Sequence, residues 1–261
     1  MPAKSPLAER LEKIREQMAS ACAAARRDPS EVTLLAVTKT AAPEQIREIL
    51  QLGVGDLAES RVQVLIQRTA QINEFYQRRQ PHDPAMAPRL RWHMIGHLQR
   101  NKVKAVLPLV DLIHSVDSLR LAEELDSQAA RLARKVPVLL QVNASEEKQK
   151  FGVAVGAAVH LAEQIGSMPN LQLSGLMSMA PLQATIDQAR FVFARTRELF
   201  EEMRWHKIGG AHLRHLSMGM SGDFVPAILE GATLLRLGTA LFGGQPQQDH
   251  PDSEDAASEG G

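Results

Sequence analysis

A lysine follows the first strongly apolar run of the sequence. Residues 34–40 read LLAVTKT, so the run ends on Lys39 and Thr40, and Pro43 then opens a helical pattern. In a parallel α/β protein, ligands bind at the C-terminal ends of the strands, because loops and helix N-termini meet there. A lysine partly removed from water at such a place can form a Schiff base with a carbonyl compound. The alternative is a lysine that only extends into solvent, and the rest of the chain must decide between the two.

Two loops near the end of the sequence are rich in hydroxyl groups and glycine. Residues 217–223 read SMGMSGD and residues 238–244 read GTALFGG, each after a short apolar run. In barrel enzymes a phosphate often lies between the loops after the seventh and eighth strands, where free backbone N–H groups bind the dianion. Either loop alone is better explained by ordinary helix capping, but both together favour a phosphate site. The candidate residues are Ser217, Ser221, Gly238 and Thr239.

Arg236 interrupts the last apolar run, which reads LLRLG over residues 234–238. If its side chain faces the barrel interior, the charge needs a ligand or an acidic partner. If it faces outward, it is a solvated charge. Together with Lys39 and the two loops, an inward Arg236 suggests a ligand with a phosphate, an aldehyde and an aromatic ring. Pyridoxal 5′-phosphate has all three.

The elements that must position these residues alternate regularly along the chain. Eight apolar runs, centred near residues 34, 57, 93, 113, 139, 174, 216 and 236, are each followed by a helical segment. This alternation predicts an α/β protein with a single (β/α)8 TIM-type barrel over residues 1–244, preceded by an extra amphipathic helix that begins near Ser5 and Pro6. A doubly wound open sheet is the alternative, but no Gly-x-Gly-x-x-Gly follows the first strand. Prolines at 81, 84 and 88 predict a surface loop, and residues 245–261 predict a disordered acidic tail.

Composition indicates a soluble cytoplasmic protein. The 261 residues carry 30 basic and 30 acidic side chains, which gives no overall attraction to nucleic acid or to a membrane surface. The one cysteine, Cys22, cannot form an internal disulfide. We see no signal peptide and no uninterrupted apolar stretch that could span a membrane. Three histidines, His93, His97 and His114, lack metal-ligand spacing and are expected to be hydrogen-bonding groups of the core or rim.

Several stretches resemble the pyridoxal-phosphate homeostasis protein family. They are LAVTKT at 35–40, WHMIGHLQRNK at 92–102, IHSVDS at 113–118, GLMSM at 175–179, LSMGMS at 216–221 and LRLGTALFG at 235–243. The resemblance extends from about residue 7 to residue 244. It implies a barrel like the N-terminal domain of alanine racemase.

The resemblance also implies residue roles. Lys39 would be the Schiff-base lysine, Arg236 would lie near the pyridine nitrogen, and the phosphate would be surrounded by Ser217, Ser221, Gly238 and Thr239. This sequence departs from the family at one place, because Ala58-Glu59-Ser60 replaces the usual Gly-Glu-Asn. Ser60 is therefore carried over as a cofactor-binding residue with a shorter polar group than the usual amide.

The chemistry favours a carrier over an enzyme. A racemase of this fold needs an acid/base on each face of the substrate, and alanine racemase takes its second group, a tyrosine, from another domain across a dimer. The single tyrosine here, Tyr76, is expected away from the strand ends. An arginine beside the pyridine nitrogen also weakens the ring as an electron sink. We therefore expect a non-catalytic monomer that buffers, delivers or senses pyridoxal phosphate for apoenzymes or regulators. A pyridoxal-phosphate-dependent amino-acid racemase is the alternative, and a purely structural protein would bind no cofactor.

Overall fold

Eight parallel strands form a closed barrel in the part of the chain that the structure describes. The computed structural model describes residues 4–147 and 149–244. The barrel strands are β1 (Thr33–Val37), β2 (Asp56–Glu59), β3 (Arg91–Met94), β4 (Leu112–Val116), β5 (Val136–Asn143), β6 (Leu171–Met177), β7 (His215–Ser217) and β8 (Leu234–Leu237). Each strand pairs with the next, and β8 pairs with β1 to close the sheet. The expected (β/α)8 barrel is confirmed, and the closure rules out an open doubly wound sheet.

Helices follow the strands and surround the barrel. They are α1 (Pro6–Ala24), α2 (Pro43–Gln51), α3 (Val62–Arg79), α4 (Val103–Val106), α5 (Leu119–Arg131), α6 (Val155–Ser167), α7 (Ile186–Trp205), α8 (Phe224–Leu229) and α9 (Thr239–Phe242). The segment expected to be one helix after β3 is instead a short α4 between two 3-10 turns, Arg100–Lys102 and Leu107–Leu109. Pro108 lies in the second turn, where it cannot donate a helical hydrogen bond. A two-residue strand, Val153–Ala154, pairs with the end of β5.

The barrel interior is a separate apolar cluster with polar groups beside it. Alternate residues of each strand face inward, and those of β1 are Leu35 and Val37. Across the barrel they join inward residues of other strands, which are Ala58, Leu112, Leu139, Met177 and Leu234. The outward residues of the strands pack with the helices in the larger core. The interior is therefore filled by side chains rather than open along its length.

The amphipathic first segment forms the expected extra helix. Ser5 caps α1 by accepting a hydrogen bond from the Ala8 amide at 3.1 Å. The buried face of α1 lies against α8 and α9, the two short helices that follow the candidate phosphate loops. Arg10 Nε donates to the Leu241 carbonyl at 2.5 Å, and Arg27 Nη1 donates to the Ile228 carbonyl at 3.0 Å. These bonds tie α1 to the C-terminal part of the barrel.

The proline-containing loop after α3 is more than surface, contrary to expectation. Met86 and Ala87 are buried, and the Ala87 amide donates to the Leu50 carbonyl at 2.8 Å. Tyr76 Oη donates to the Ala87 carbonyl at 2.8 Å. The prolines mark the turns correctly, but Ala87 packs between the end of α2 and Gly55, which precedes β2.

Two further expectations concern the C-terminal tail and membrane-spanning segments. The tail prediction concerns residues 245–261, which lie outside the described part of the chain. Within the described residues, the longest helices are too polar for their length to cross a bilayer.

Candidate functional site

Lys39 follows directly from β1 at the C-terminal end of the barrel. Leu35 and Val37 face the interior, so strand alternation places position 39 on the same side of the chain. Thr38 is fully buried, whereas Lys39 is only partly buried. The lysine is thus held at the barrel mouth by a backbone whose preceding residue is fixed in the core.

An ion pair with a buried carboxylate holds the backbone on both sides of Lys39. The Arg68 guanidinium donates to the Thr38 carbonyl, to Glu59 Oε2 at 3.1 Å and to the Ala41 carbonyl at 3.1 Å. Thr38 Oγ1 donates to Glu59 Oε2 at 3.0 Å. Glu59 is fully buried, and one guanidinium bridges carbonyls three residues apart. We call Thr38, Glu59 and Arg68 the lysine clamp.

Sequence reasoning missed the two charged residues of the lysine clamp. In the sequence, Glu59 stands out only as the neighbour of Ser60, and Arg68 lies among other polar residues of a helical segment. An acid at the end of an apolar run such as Asp56–Glu59 indicates a buried ion-pair partner elsewhere in the chain, because a buried carboxylate requires a cationic partner. Nothing in the sequence shows that Arg68, nine positions later, is that partner.

Ser60 lies at the C-terminal end of β2, next to the lysine clamp. Its amide donates to Glu59 Oε1 at 2.8 Å. The chain after β3 passes close by, since a Cβ added at Gly96 would lie 2.0 Å from the Ser60 carbonyl oxygen. The structure therefore brings Ser60 to the same end of the barrel as Lys39.

The loop after β7 contains a glycine in the left-handed backbone region. Gly219 has φ +86°, and a Cβ there would lie 2.6 Å from the Cβ of Ala227. Asp223 Oδ1 accepts from the Met220 amide at 2.5 Å and closes the loop. Burial raises the pKa of Asp223, while the Met220 amide and the nearby Arg236 act in the opposite direction.

The loops after β7 and β8 are joined to each other. Ser221 Oγ accepts a hydrogen bond from the Ala240 amide at 3.1 Å. Gly238 lies at the start of α9, and a Cβ there would lie 3.4 Å from the Val37 carbonyl oxygen, at the end of β1. The phosphate candidates Ser221, Gly238 and Thr239 thus come together near the strand that carries Lys39.

Arg236 faces the interior of the barrel. It is 3% exposed, and it follows Leu234 of the interior cluster by two positions. Its described hydrogen bonds go to neutral oxygens: Nη1 donates to the Ser217 carbonyl and to Ser217 Oγ, both at 2.7 Å, and Nη2 donates to the Ser178 carbonyl at 2.9 Å. Burial lowers the pKa of Arg236 to about 10, although Asp223 opposes the shift. The side chain is a buried cation placed beneath the two loops.

His93 and His114 are hydrogen-bonding groups of the core, as expected. His93 and His114 are buried and bonded to each other at 3.0 Å, and His114 is bonded to Ser217 Oγ at 2.8 Å. His97 lies at the rim, where its ring stacks on Phe151 at 4.2 Å and its Nδ1 is 3.3 Å from Asp117.

A cavity of about 290 Å³ lies at the other end of the barrel. It is lined by residues at strand starts and on α1, among them Arg15, Thr33, Gly55 and Asp56. The amine, guanidinium and hydroxyl groups described above are at the C-terminal ends of the strands. Chemistry rather than cavity size therefore locates the candidate site.

Comparison with known proteins finds similarity along nearly the whole chain. Residues 7–246 match the family described as alanine racemase, N-terminal domain. The pyridoxal phosphate homeostasis protein of Aquifex aeolicus (strain VF5) is 38% identical over 235 residues, which are 90% of this chain and 96% of that protein.

Solved structures show the same architecture. PipY of Synechococcus elongatus PCC7942, solved with PLP bound, is 35% identical with a TM-score of 0.76, covering 91% of this chain and all of PipY, 100%. The alanine racemase of Clostridium difficile 630 is 13% identical with a TM-score of 0.63, covering 90% of this chain and 61% of the racemase. At that identity the second likeness concerns the fold alone.

Proposed function

Since this chain belongs to the pyridoxal phosphate homeostasis protein family, we propose that it binds pyridoxal 5′-phosphate at the C-terminal end of its barrel and acts in intracellular homeostasis of that cofactor. The observation that carries the proposal is the closure of the sheet between β1 and β8, where Ala36 is in register with Leu237. That pairing supports a site in which Lys39 would lie near Gly238 and Thr239, above the buried Arg236.

The groups gathered there fit the three parts of the cofactor. Lys39 supplies the primary amine, the partly buried Ser221 and Thr239 supply hydroxyls, and Gly238 lets the backbone approach closely. Arg236 supplies a buried guanidinium whose described hydrogen bonds go to neutral oxygens, and it would face the ring.

The proposed roles follow the resemblance. Lys39 would hold the cofactor covalently, Arg236 would lie toward the pyridine nitrogen, and Ser60 would lie beside the ring. The residues around the phosphate would be Ser217, Ser221, Gly238 and Thr239. When bound, the cofactor supplies an aldehyde that condenses with a primary amine with loss of water, a linkage that borohydride reduces.

We propose that the protein holds the cofactor without catalytic turnover. The pKa of Arg236, about 10, keeps its guanidinium charged at neutral pH. A cation that donates toward the pyridine nitrogen disfavours a proton there, and an unprotonated ring is a weak electron sink. Tyr76 is bonded to Ala87, beneath α2 at the opposite end of the barrel, so it is badly placed for acid/base work at Lys39. The proposed setting is a cytoplasmic monomer that serves apoenzymes or regulators.

The covalent role of Lys39 has a direct test. Protein incubated with pyridoxal phosphate and reduced with borohydride should carry one added phosphopyridoxyl group on the peptide that contains Lys39. Lys39→Ala should lose this adduct entirely, and Lys104→Ala, at an exposed lysine, should keep it. An adduct retained at another lysine in Lys39→Ala would overturn the assignment.

The racemase alternative has a separate test. The loaded protein should show no exchange of the α-hydrogen of amino acids in deuterated water across a panel of substrates. Robust exchange that depends on Lys39 would establish an enzyme and reject the carrier proposal.

A further inference from the structure

Five polar side chains form a continuous hydrogen-bond chain through the barrel. We call Asp56, His93, His114, Ser217 and Arg236 the interior chain. The linked atoms are Asp56 Oδ1 and His93 Nε2 at 3.0 Å, His93 Nδ1 and His114 Nε2 at 3.0 Å, His114 Nδ1 and Ser217 Oγ at 2.8 Å, and Ser217 Oγ and Arg236 Nη1 at 2.7 Å. It runs from the start of β2, at the cavity opposite the candidate site, to Arg236 beneath the phosphate loops.

The interior chain is shielded from water except at Asp56. His114 and Ser217 are completely buried, and His93 and Arg236 are each 3% exposed. Polar groups in such surroundings must satisfy one another, because an unpaired buried donor or acceptor is destabilising. Each link is therefore expected to have one donor and one acceptor.

The acidic end of the chain can only accept. Asp56 is bound by Arg91, whose Nη2 donates to Oδ2 at 2.8 Å. Burial favours the neutral acid, but the hydrogen bonds from His93 and Arg91 outweigh it and leave the pKa of Asp56 below its usual value. The carboxylate is thus ionised at neutral pH, and His93 must donate to it through Nε2.

The other end of the chain can only donate, because a guanidinium has no acceptor. With both histidines neutral, one arrangement satisfies every link. His93 Nε2–H donates to Asp56, His114 Nε2–H donates to His93 Nδ1, and the Ser217 hydroxyl donates to His114 Nδ1. Ser217 Oγ then receives the Arg236 N–H.

The neutral state of His114 follows from its surroundings. Burial lowers the pKa of His114 well below 6.5, and the nearby Arg236 acts in the same direction. The reverse orientation of the chain would require both nitrogens of His93 to be protonated. It would also leave the Ser217 hydroxyl proton without an acceptor, because among the described residues Ser217 Oγ is linked only to His114 Nδ1 and to the donating Arg236 Nη1.

We propose that His114 is a positioning residue for the cofactor site. Its Nδ1 accepts a hydrogen bond from the Ser217 hydroxyl, which leaves the Ser217 oxygen as the acceptor that orients Arg236. In this arrangement the Ser217 hydroxyl donates no hydrogen bond to a phosphate. It contributes to the site by holding the guanidinium, and the hydrogen bonds to the phosphate are donated by the loops that contain Ser221 and Thr239. The ligand in this inference rests on the proposed function, whereas the direction of the interior chain does not.

Two amide substitutions at one position separate positioning from simple packing. The side-chain amide of His114→Asn occupies the place of Nδ1, so it keeps an acceptor for Ser217. The amide of His114→Gln occupies the place of Nε2, so it keeps the link to His93 and loses that acceptor. Both replace a buried imidazole by a buried neutral amide, and each serves as the control for the other.

The affinity for pyridoxal phosphate should differ between His114→Asn and His114→Gln. We expect His114→Asn to bind within about threefold of the unmodified protein, and His114→Gln and Ser217→Ala each to bind at least tenfold more weakly. Urea unfolding of each variant checks that the fold is retained. Equal weakening of both His114 variants would overturn the proposal. So would weakening by Ser217→Ala alone, because that pattern means a direct Ser217–phosphate bond.

The direction of the chain can be measured without any cofactor. Long-range ¹H–¹⁵N spectra of the imidazole rings at pH 7 should show His93 and His114 as neutral Nε2–H tautomers. A Nδ1–H tautomer at His114 would overturn the proposal even if the affinities agreed. If instead the unmodified protein forms no reducible adduct on Lys39, the proposed function fails while the tautomer measurement still judges the interior chain.

Discussion

At the scale of single residues, the position of Lys39 depends on Arg68. The guanidinium contacts backbone on both sides of the lysine and pairs with the buried Glu59. Removing one member of a buried ion pair costs about 3–5 kcal/mol, because the remaining charge is left uncompensated. Thr38 Oγ1 and two backbone amides also bind Glu59 and soften that cost. Stability and lysine placement are therefore coupled through one side chain.

Arg68→Leu should lower the free energy of unfolding by about 3 kcal/mol and slow the reaction of Lys39 with pyridoxal phosphate. Urea titration and the rise of absorbance after mixing measure the two effects. Arg78→Leu on the same helix is the control, because its ion pair with Glu74 is mostly exposed and is worth less than about 1 kcal/mol. A normal rate of reaction in Arg68→Leu would show that the clamp does not position the lysine.

At the scale of elements, α1 packs against the short helices that follow the two candidate phosphate loops. Helices α8 and α9 have only six and four residues, and helices so short are not stable alone. The apolar face of α1, with Leu7, Leu11 and Ile14 buried, supplies the packing that they need. The extra N-terminal helix is thus part of what holds Ser221 and Thr239 in place.

Leu11→Ala should destabilise the protein by about 3 kcal/mol, because it removes a buried side chain and leaves a cavity. Amide hydrogen exchange should quicken in the peptides that cover 217–223 and 238–243. Glu16→Ala, on the exposed face of α1, should change stability by less than about 0.5 kcal/mol. Unchanged exchange in those peptides would separate α1 from the site.

At the scale of the whole molecule, closure of the barrel removes imidazoles of its strands from water, since His93 and His114 are buried and His215 is partly buried. His215 lies at the start of β7, and burial, together with Arg214, His93 and Arg91, lowers its pKa to about 4, although Asp56 opposes the shift. In the unfolded chain its pKa is about 6.5. Between these values the unfolded state binds more protons than the folded state, so stability falls as the pH falls.

His215→Gln should therefore lose less stability than the unmodified protein between pH 7 and pH 5, by about 2 kcal/mol. Urea unfolding at the two pH values gives this difference directly. His160→Gln, at a histidine whose side chain is 77% exposed, should behave as the unmodified protein does. An equal loss in all three proteins would mean that His215 titrates normally in the fold.

The sequence by itself determined the features that depend on neighbouring residues. Eight apolar runs with intervening helical patterns specify the barrel, since strand and helix periodicity are local properties. The end of the first run marks Lys39, and the glycine- and serine-rich turns mark Ser221 and Gly238. Together with an inward Arg236 they suggested pyridoxal phosphate, and the resemblance then added the roles of these residues.

Only the tertiary structure decided where Arg236 points and what it meets. Strand β8 is buried on both faces, so its pattern of apolar residues carries no indication of which face is inside. His114 and Ser217 are 103 positions apart, and Arg68 finds Glu59 through the packing of α3 on β2. Such contacts form because the barrel closes and because buried polar groups must be paired. Both conditions depend on residues far apart in the sequence, so no short stretch of the chain predicts these contacts.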